Sequence, residues 1–106
     1  MLTGKNLTRR DKRNKLEIFY NILTALYDES INGEIKPTRV QQKCNLSYDK
    51  FSKNLNELKK RKLITDDSFL RITEKGIQLT KDYGKINNFM IKMKIDYLDL
   101  EKEHDI

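Results

Sequence analysis

The sequence predicts a mainly α-helical domain with one small β-hairpin, extended by a long C-terminal helix. Three observations predict it. Residues 37–61 read as a short helix, a tight turn and a longer helix. Two short β-prone runs follow at once, split by a polar turn. Leu79, Tyr83, Ile86, Met90, Met93, Tyr97 and Leu100 then recur in steps of four and three, the spacing of a heptad seam.

Residues 1–14 hold few apolar side chains and no periodicity, and the first fifteen residues carry Lys5, Arg9, Arg10, Lys12, Arg13 and Lys15 against Asp11. They predict a flexible basic arm, either a solubilising tail or an arm that lies along phosphates or in a minor groove. Residues 15–30 predict a central helix. Leu16, Phe19, Tyr20, Leu23, Leu26 and Tyr27 share one face, widened by Ile18, Ile22 and Ala25. A turn follows at Ile31-Asn32-Gly33-Glu34, where Gly33 tolerates positive φ, and Ile35 is placed in a very short strand.

Pro37 suits a first helical position, because its missing N–H would have no partner there. Val40 and Cys44 share a face of that short helix. Ser47 is a good cap for the next helix, and Asp49 sets a negative charge at the positive end of its dipole. Tyr48, Phe51, Leu55 and Leu58 form its apolar stripe; Asp49, Lys50, Lys53, Asn56, Glu57 and Lys60 face away. Two helices with a short turn, the second basic on its polar face, make a helix-turn-helix pattern; the alternative is a plain helical hairpin with a solvated face.

The runs 62–65 and 69–73 around Asp66-Asp67-Ser68 make a hairpin, which turns the pattern into a winged helix-turn-helix. Lys62 and Arg71 flank this wing, while Asp66 and Asp67 would repel phosphate, so the wing reads as shallow. Thr73 caps the last helix. A seam of about 33 Å at 1.5 Å per residue outruns so small a domain. Its outer part predicts a coiled-coil homodimer, with a helix folded back on its own core as the alternative. The predicted organisation is therefore an arm at 1–14, a winged helix-turn-helix at 15–76, a dimerisation helix at 77–102 and an acidic tail at 103–106.

Composition narrows the function. Of 106 residues, 37% are hydrophobic and 36% charged, with a formal net charge of +6 that favours a polyanionic partner. The excess is uneven, since residues 96–106 hold Asp96, Asp99, Glu101, Glu103 and Asp105 against Lys102. One cysteine and one histidine build neither a disulfide, a metal set nor a nucleophile–base pair. Neither an enzyme nor a cofactor is expected. No apolar run approaches the ~20 residues of a membrane span, which predicts a soluble, cytoplasmic, nucleoid-associated protein.

Several stretches resemble a known family. They are Lys15-Leu16-Glu17-Ile18, Ile22-Leu23, Pro37-Thr38-Arg39-Val40, Asn45-Leu46-Ser47-Tyr48, Leu55, Leu58, Leu63-Ile64 and Thr73-Glu74-Lys75-Gly76. Over residues 15–86 the chain resembles the archaeal winged-helix proteins typified by the small dimeric chromatin protein of Sulfolobus, and the predicted archaeal transcriptional regulators related to it. The resemblance implies an antiparallel coiled coil and double-stranded DNA as partner. By position it makes Arg39, Lys50, Lys53 and Asn54 DNA contacts. The chain departs at Cys44, at Asn54 and in its acidic tail.

Together with the residue pattern, the candidate DNA surface is Arg9, Arg10, Arg13, Thr38, Arg39, Gln42, Ser47, Tyr48, Lys50, Lys53, Asn54, Asn56, Lys60 and Arg71. Gln41 can add a backbone hydrogen bond, and Asn54 and Asn56 can read adenine edges. The expected function is a dimeric DNA-binding protein. It is either a regulator acting by operator occupancy or an architectural chromatin protein, and the uneven charge favours the regulator. The alternative is a protein-interaction module of the transcription machinery.

Overall fold

The computed structural model describes residues 11–99. Arg9, Arg10 and Leu100, and with them most of the predicted arm and the acidic tail, lie outside the described residues. Helix α1 spans Lys15–Ile31, α2 Pro37–Cys44 and α3 Tyr48–Lys60. Strands β1, Ile64–Thr65, and β2, Arg71–Ile72, pair antiparallel with Ile64 opposite Ile72. Helix α4 runs Glu74–Met93 and passes into a π-helical turn over Lys94–Asp99. The winged helix-turn-helix is present as the pattern predicts.

Each helix starts at a local signal. The side chain of Asn14 accepts the Glu17 N–H at 2.7 Å. Pro37 opens α2, Ser47 Oγ accepts the Lys50 N–H at 3.3 Å, and Thr73 Oγ1 accepts the Gly76 N–H at 3.1 Å. These caps satisfy donors that the first helical turn leaves unpaired.

The two helices of the central motif end alike. After α2, Leu46 N–H donates to Gln41 O and Asn45 N–H to Gln42 O, with Asn45 left-handed at φ 54°. After α3, Leu63 N–H donates to Leu58 O and Lys62 N–H to Lys59 O, with Lys62 left-handed at φ 61°. Both are Schellman closures. Asparagine tolerates that conformation, whereas lysine pays a steric penalty in it. Replacing Lys62 with glycine is therefore expected to stabilise the domain by about 0.5–1 kcal/mol, read as a higher denaturant midpoint with unchanged slope.

The core is built on α1. Ile22, Leu23 and Leu26 are fully covered, by Val40 and Cys44 of α2, Phe51 and Leu58 of α3, and Leu63, Ile64 and Leu70 of the wing. Burial pushes the Cys44 thiol up to about 11, so it behaves as a small hydrophobe.

Four expectations are corrected. Tyr48 is 68% exposed and does not hold α3 to the core; that role falls to Phe51 and Leu58, with Leu55 half-buried. Tyr48 is the first residue of α3, one turn before the packed stripe begins. Leu16 and Tyr27, at opposite ends of the α1 face, are half exposed. Ile35 joins no strand; it packs against the core from an irregular loop. The first members of the heptad series face inward: Leu79 packs on the core and Tyr83 stacks on Tyr20 at 4.7 Å between ring centroids. A series that began as one seam divides between the chain's own core and the outer part of α4.

Candidate nucleic-acid interface

Helix α3 is held from behind and open in front. Phe51 and Leu58 anchor it, which leaves Lys50, Lys53, Asn56 and Lys60 exposed on the opposite side. Lys53, Asn56, Glu57, Lys60 and Arg61 line a shallow groove of about 470 Å³ along this face. Glu57 does not cancel the local charge. It accepts hydrogen bonds from Lys15 at 2.8 Å and Arg61 at 2.9 Å, and these hold its carboxyl below the usual carboxylate range. The groove therefore keeps a net positive potential, supplied in part by Lys15 and Arg61. Sequence reasoning passed over both residues, although the four-residue step from Glu57 to Arg61 is a readable helix pair.

Asp49 lies in the first turn of α3, where its charge suits the helix dipole. Ser47 is committed to its cap, and the Asn54 side chain donates back to Lys50 O at 2.8 Å. Of the two asparagines expected to read bases, Asn56 is the exposed one, while Asn54 is half-buried and bonded within its own helix.

Helix α2 flanks this face with exposed Thr38, Arg39 and Gln42. The Gln41 side chain donates inward, to Leu46 O at 3.1 Å. Arg39 and Lys43 both reach Glu29 of α1, at 3.6 and 3.0 Å, and Glu29 is only 3% exposed. The signal was present in the sequence, because Glu29 follows Ile22 and Leu26 on the apolar face of α1. A carboxylate at such a position needs a cationic partner. In the wing, Arg71 lies over the Phe69 ring at 5.4 Å and pairs with Asp67 at 3.9 Å, while Lys59 pairs with Asp66 at 3.2 Å. The wing acids are thus partnered by cations of the same domain.

Arg13 is not free in solvent. Its guanidinium is bonded to Asp11, to Asn21 of α1 and to the carbonyls that end α2. A larger groove of about 710 Å³, lined by Tyr27, Ile35, Phe69 and Ile77 among others, opens between α1 and the wing and includes no residue of α3. Among the described residues no His, Cys, Asp or Glu cluster has the size of a metal site, and no helix is long and apolar enough to cross a membrane.

The sequence profile of the winged helix-turn-helix family matches residues 12–91. The chain belongs to that family. No curated protein sequence matches it significantly. The match takes in all three core helices, the wing and most of α4, and winged helix-turn-helix domains are typically non-enzymatic DNA-binding domains. Membership therefore points to double-stranded DNA as a partner.

Proposed function

We propose that the protein is a dimeric transcriptional regulator that binds duplex DNA and acts by operator occupancy. The observation that carries this reading is the exposed lysine face of α3 on a helix whose other side is buried. In this reading α3 enters the major groove, where Lys50, Lys53 and Lys60 meet phosphates and Asn56 faces base edges. Thr38, Arg39 and Gln42 of α2, Tyr48 at the start of α3, and Arg71 of the wing contact the flanking backbone. The resemblance to the archaeal Sulfolobus-type proteins supports the same reading.

Duplex binding across a salt series tests it. A linear fall of log K with log salt, steep enough to imply several phosphates, is the expected result. No binding at low salt would overturn it. An architectural role would instead appear as equal affinity for unrelated duplexes under the same conditions.

Residues 77–102 are the proposed dimerisation segment. Ile86, Phe89, Met90, Met93 and Tyr97 leave an apolar stripe along the outer part of α4 and the π-helical turn after it, with Ile86 59% and Tyr97 62% exposed. A contiguous apolar stripe of this kind calls for a partner surface. The resemblance to the Sulfolobus-type proteins implies that the second copy pairs antiparallel. The variant Met90→Asp is expected to halve the mass found by light scattering, and an unchanged dimer would refute the seam.

A further inference from the structure

Glu29 is a buried charge that its own helix does not stabilise. It is 3% exposed and lies in the last turn of α1, where the helix dipole is negative and no basic residue of that turn offsets it. Burial and dipole both disfavour a carboxylate there, and a neutral glutamine would escape both penalties. The charge is matched from α2. Lys43 Nζ lies 3.0 Å from Glu29 Oε2, and Arg39 Nη1 lies 3.6 Å from Oε1. One carboxylate thus spans two cations, one oxygen to each.

The two cations stand differently in their helix. Lys43 is in the last turn of α2, where the dipole favours positive charge unaided. Arg39 is in the first turn, where the dipole opposes it and α2 supplies no acid. Among the described residues, Glu29 is the acid within ion-pair distance of Arg39. Its approach at 3.6 Å is longer than a hydrogen bond and engages one edge of the guanidinium. A guanidinium carries five N–H donors, and the Arg39 side chain is 58% exposed. An open edge is therefore left for a second anion.

We propose that Glu29 is a positioning residue: it holds the Arg39 guanidinium at the start of α2 so that its open edge meets a phosphate of the DNA backbone. The proposal rests on the DNA-binding reading above and makes a buried acid part of the binding apparatus. A planar guanidinium can face a carboxylate on one edge and a phosphate on another, whereas an ammonium is a single point charge.

Net charge alone gives the opposite expectation. Glu29→Gln raises the formal net charge of +6 by one, which by attraction should tighten binding to a polyanion. The test is a cycle of four full-length chains in one salt series: wild type, Glu29→Gln, Arg39→Ala and the two combined. Glu29→Gln is expected to weaken binding and to lower the log–log slope by about 0.9, the share of one phosphate. Arg39→Ala should lower it equally, and the combination no further. If Glu29→Gln weakens binding as much in the Arg39→Ala background as in the wild type, Glu29 is structural only and the proposal is overturned. Unchanged or tighter binding by Glu29→Gln overturns it as well. Both cations are partly exposed, so the variant leaves no buried unpaired charge and should fold. A second variant leaves Glu29 in place. Arg39→Lys keeps the charge but not the second edge, so its slope should fall as that of Arg39→Ala does, and a wild-type slope would overturn the positioning role. Absence of duplex binding by the wild type would overturn the DNA-binding reading itself, whereas the contrary results above overturn the role of Glu29 alone.

Discussion

Replacing Gly76 with alanine is expected to destabilise the domain by about 3 kcal/mol, a large fraction of what a domain of this size possesses. Helix propensity alone predicts the opposite sign, because alanine is better than glycine inside a helix by about 1 kcal/mol. Space decides the matter. A Cβ at residue 76 would stand 2.3 Å from Leu63 O and 2.8 Å from Ile72 Cγ1. The oxygen belongs to the backbone and cannot rotate aside. It already accepts the Thr73 N–H at 3.1 Å, the bond that closes the wing onto the start of α4. Relieving the clash means lifting α4 from Leu63 and from β2, which strains both the Thr73 cap and the covering of Leu63 and Ile64.

Gly84 supplies the control. A Cβ there meets only Tyr20 Oη at 3.8 Å, an ordinary contact. Gly84→Ala should therefore follow propensity and stabilise by about 0.5–1 kcal/mol. Chemical denaturation of the two variants should give shifts of opposite sign. Shifts of the same sign would show that α4 does not sit this close to the wing.

That pair of glycines shows which parts of the molecule could be read from sequence. Signals that act within a few residues were legible. Pro37, Ser47 and Thr73 start their helices where the pattern puts them, because a cap needs only its own chain two or three residues on. The buried face of α1 followed from periodicity for the same reason. Contacts between distant segments were not legible. Nothing near Gly76 says that the Leu63 carbonyl, just before β1, will lie against it, and nothing near Arg13 says that the carbonyls of Cys44 and Asn45 will take its donors. The heptad series misled in part because its spacing records only which side chains share a face. Whether that face meets its own core, as at Leu79 and Tyr83, or outside partners depends on where the body of the domain ends. The lysines of α3 were legible because the opposite, buried face of the same helix defines theirs.

The charge reversal Lys50→Glu with Lys53→Glu is expected to lower duplex affinity at least ~1000-fold at moderate salt, through loss of two phosphate contacts and repulsion from the acids that replace them. The usual objection to such a double variant is that it unfolds the domain, and here the local chemistry argues against that. Lys50 is the third residue of α3, and Ser47 caps that helix. A glutamate three residues after a serine cap can complete a capping box, in which the acid reaches back to the backbone N–H of the cap residue. Negative charge in the first helical turn also suits the dipole. Among the described residues the ionic contact of Lys50 is the long approach to Asp11, and both lysines are exposed. Thermal midpoints should therefore stay within a few degrees of the parent, since exposed substitutions of this kind move stability by about 0.5 kcal/mol. The dimer, if formed through α4, should persist in light scattering, because neither lysine lies on that helix. Binding lost with fold and mass retained would assign the loss to the α3 face. Undiminished binding by the folded variant would show that duplex DNA meets some other surface, and the recognition role of α3 would have to be abandoned.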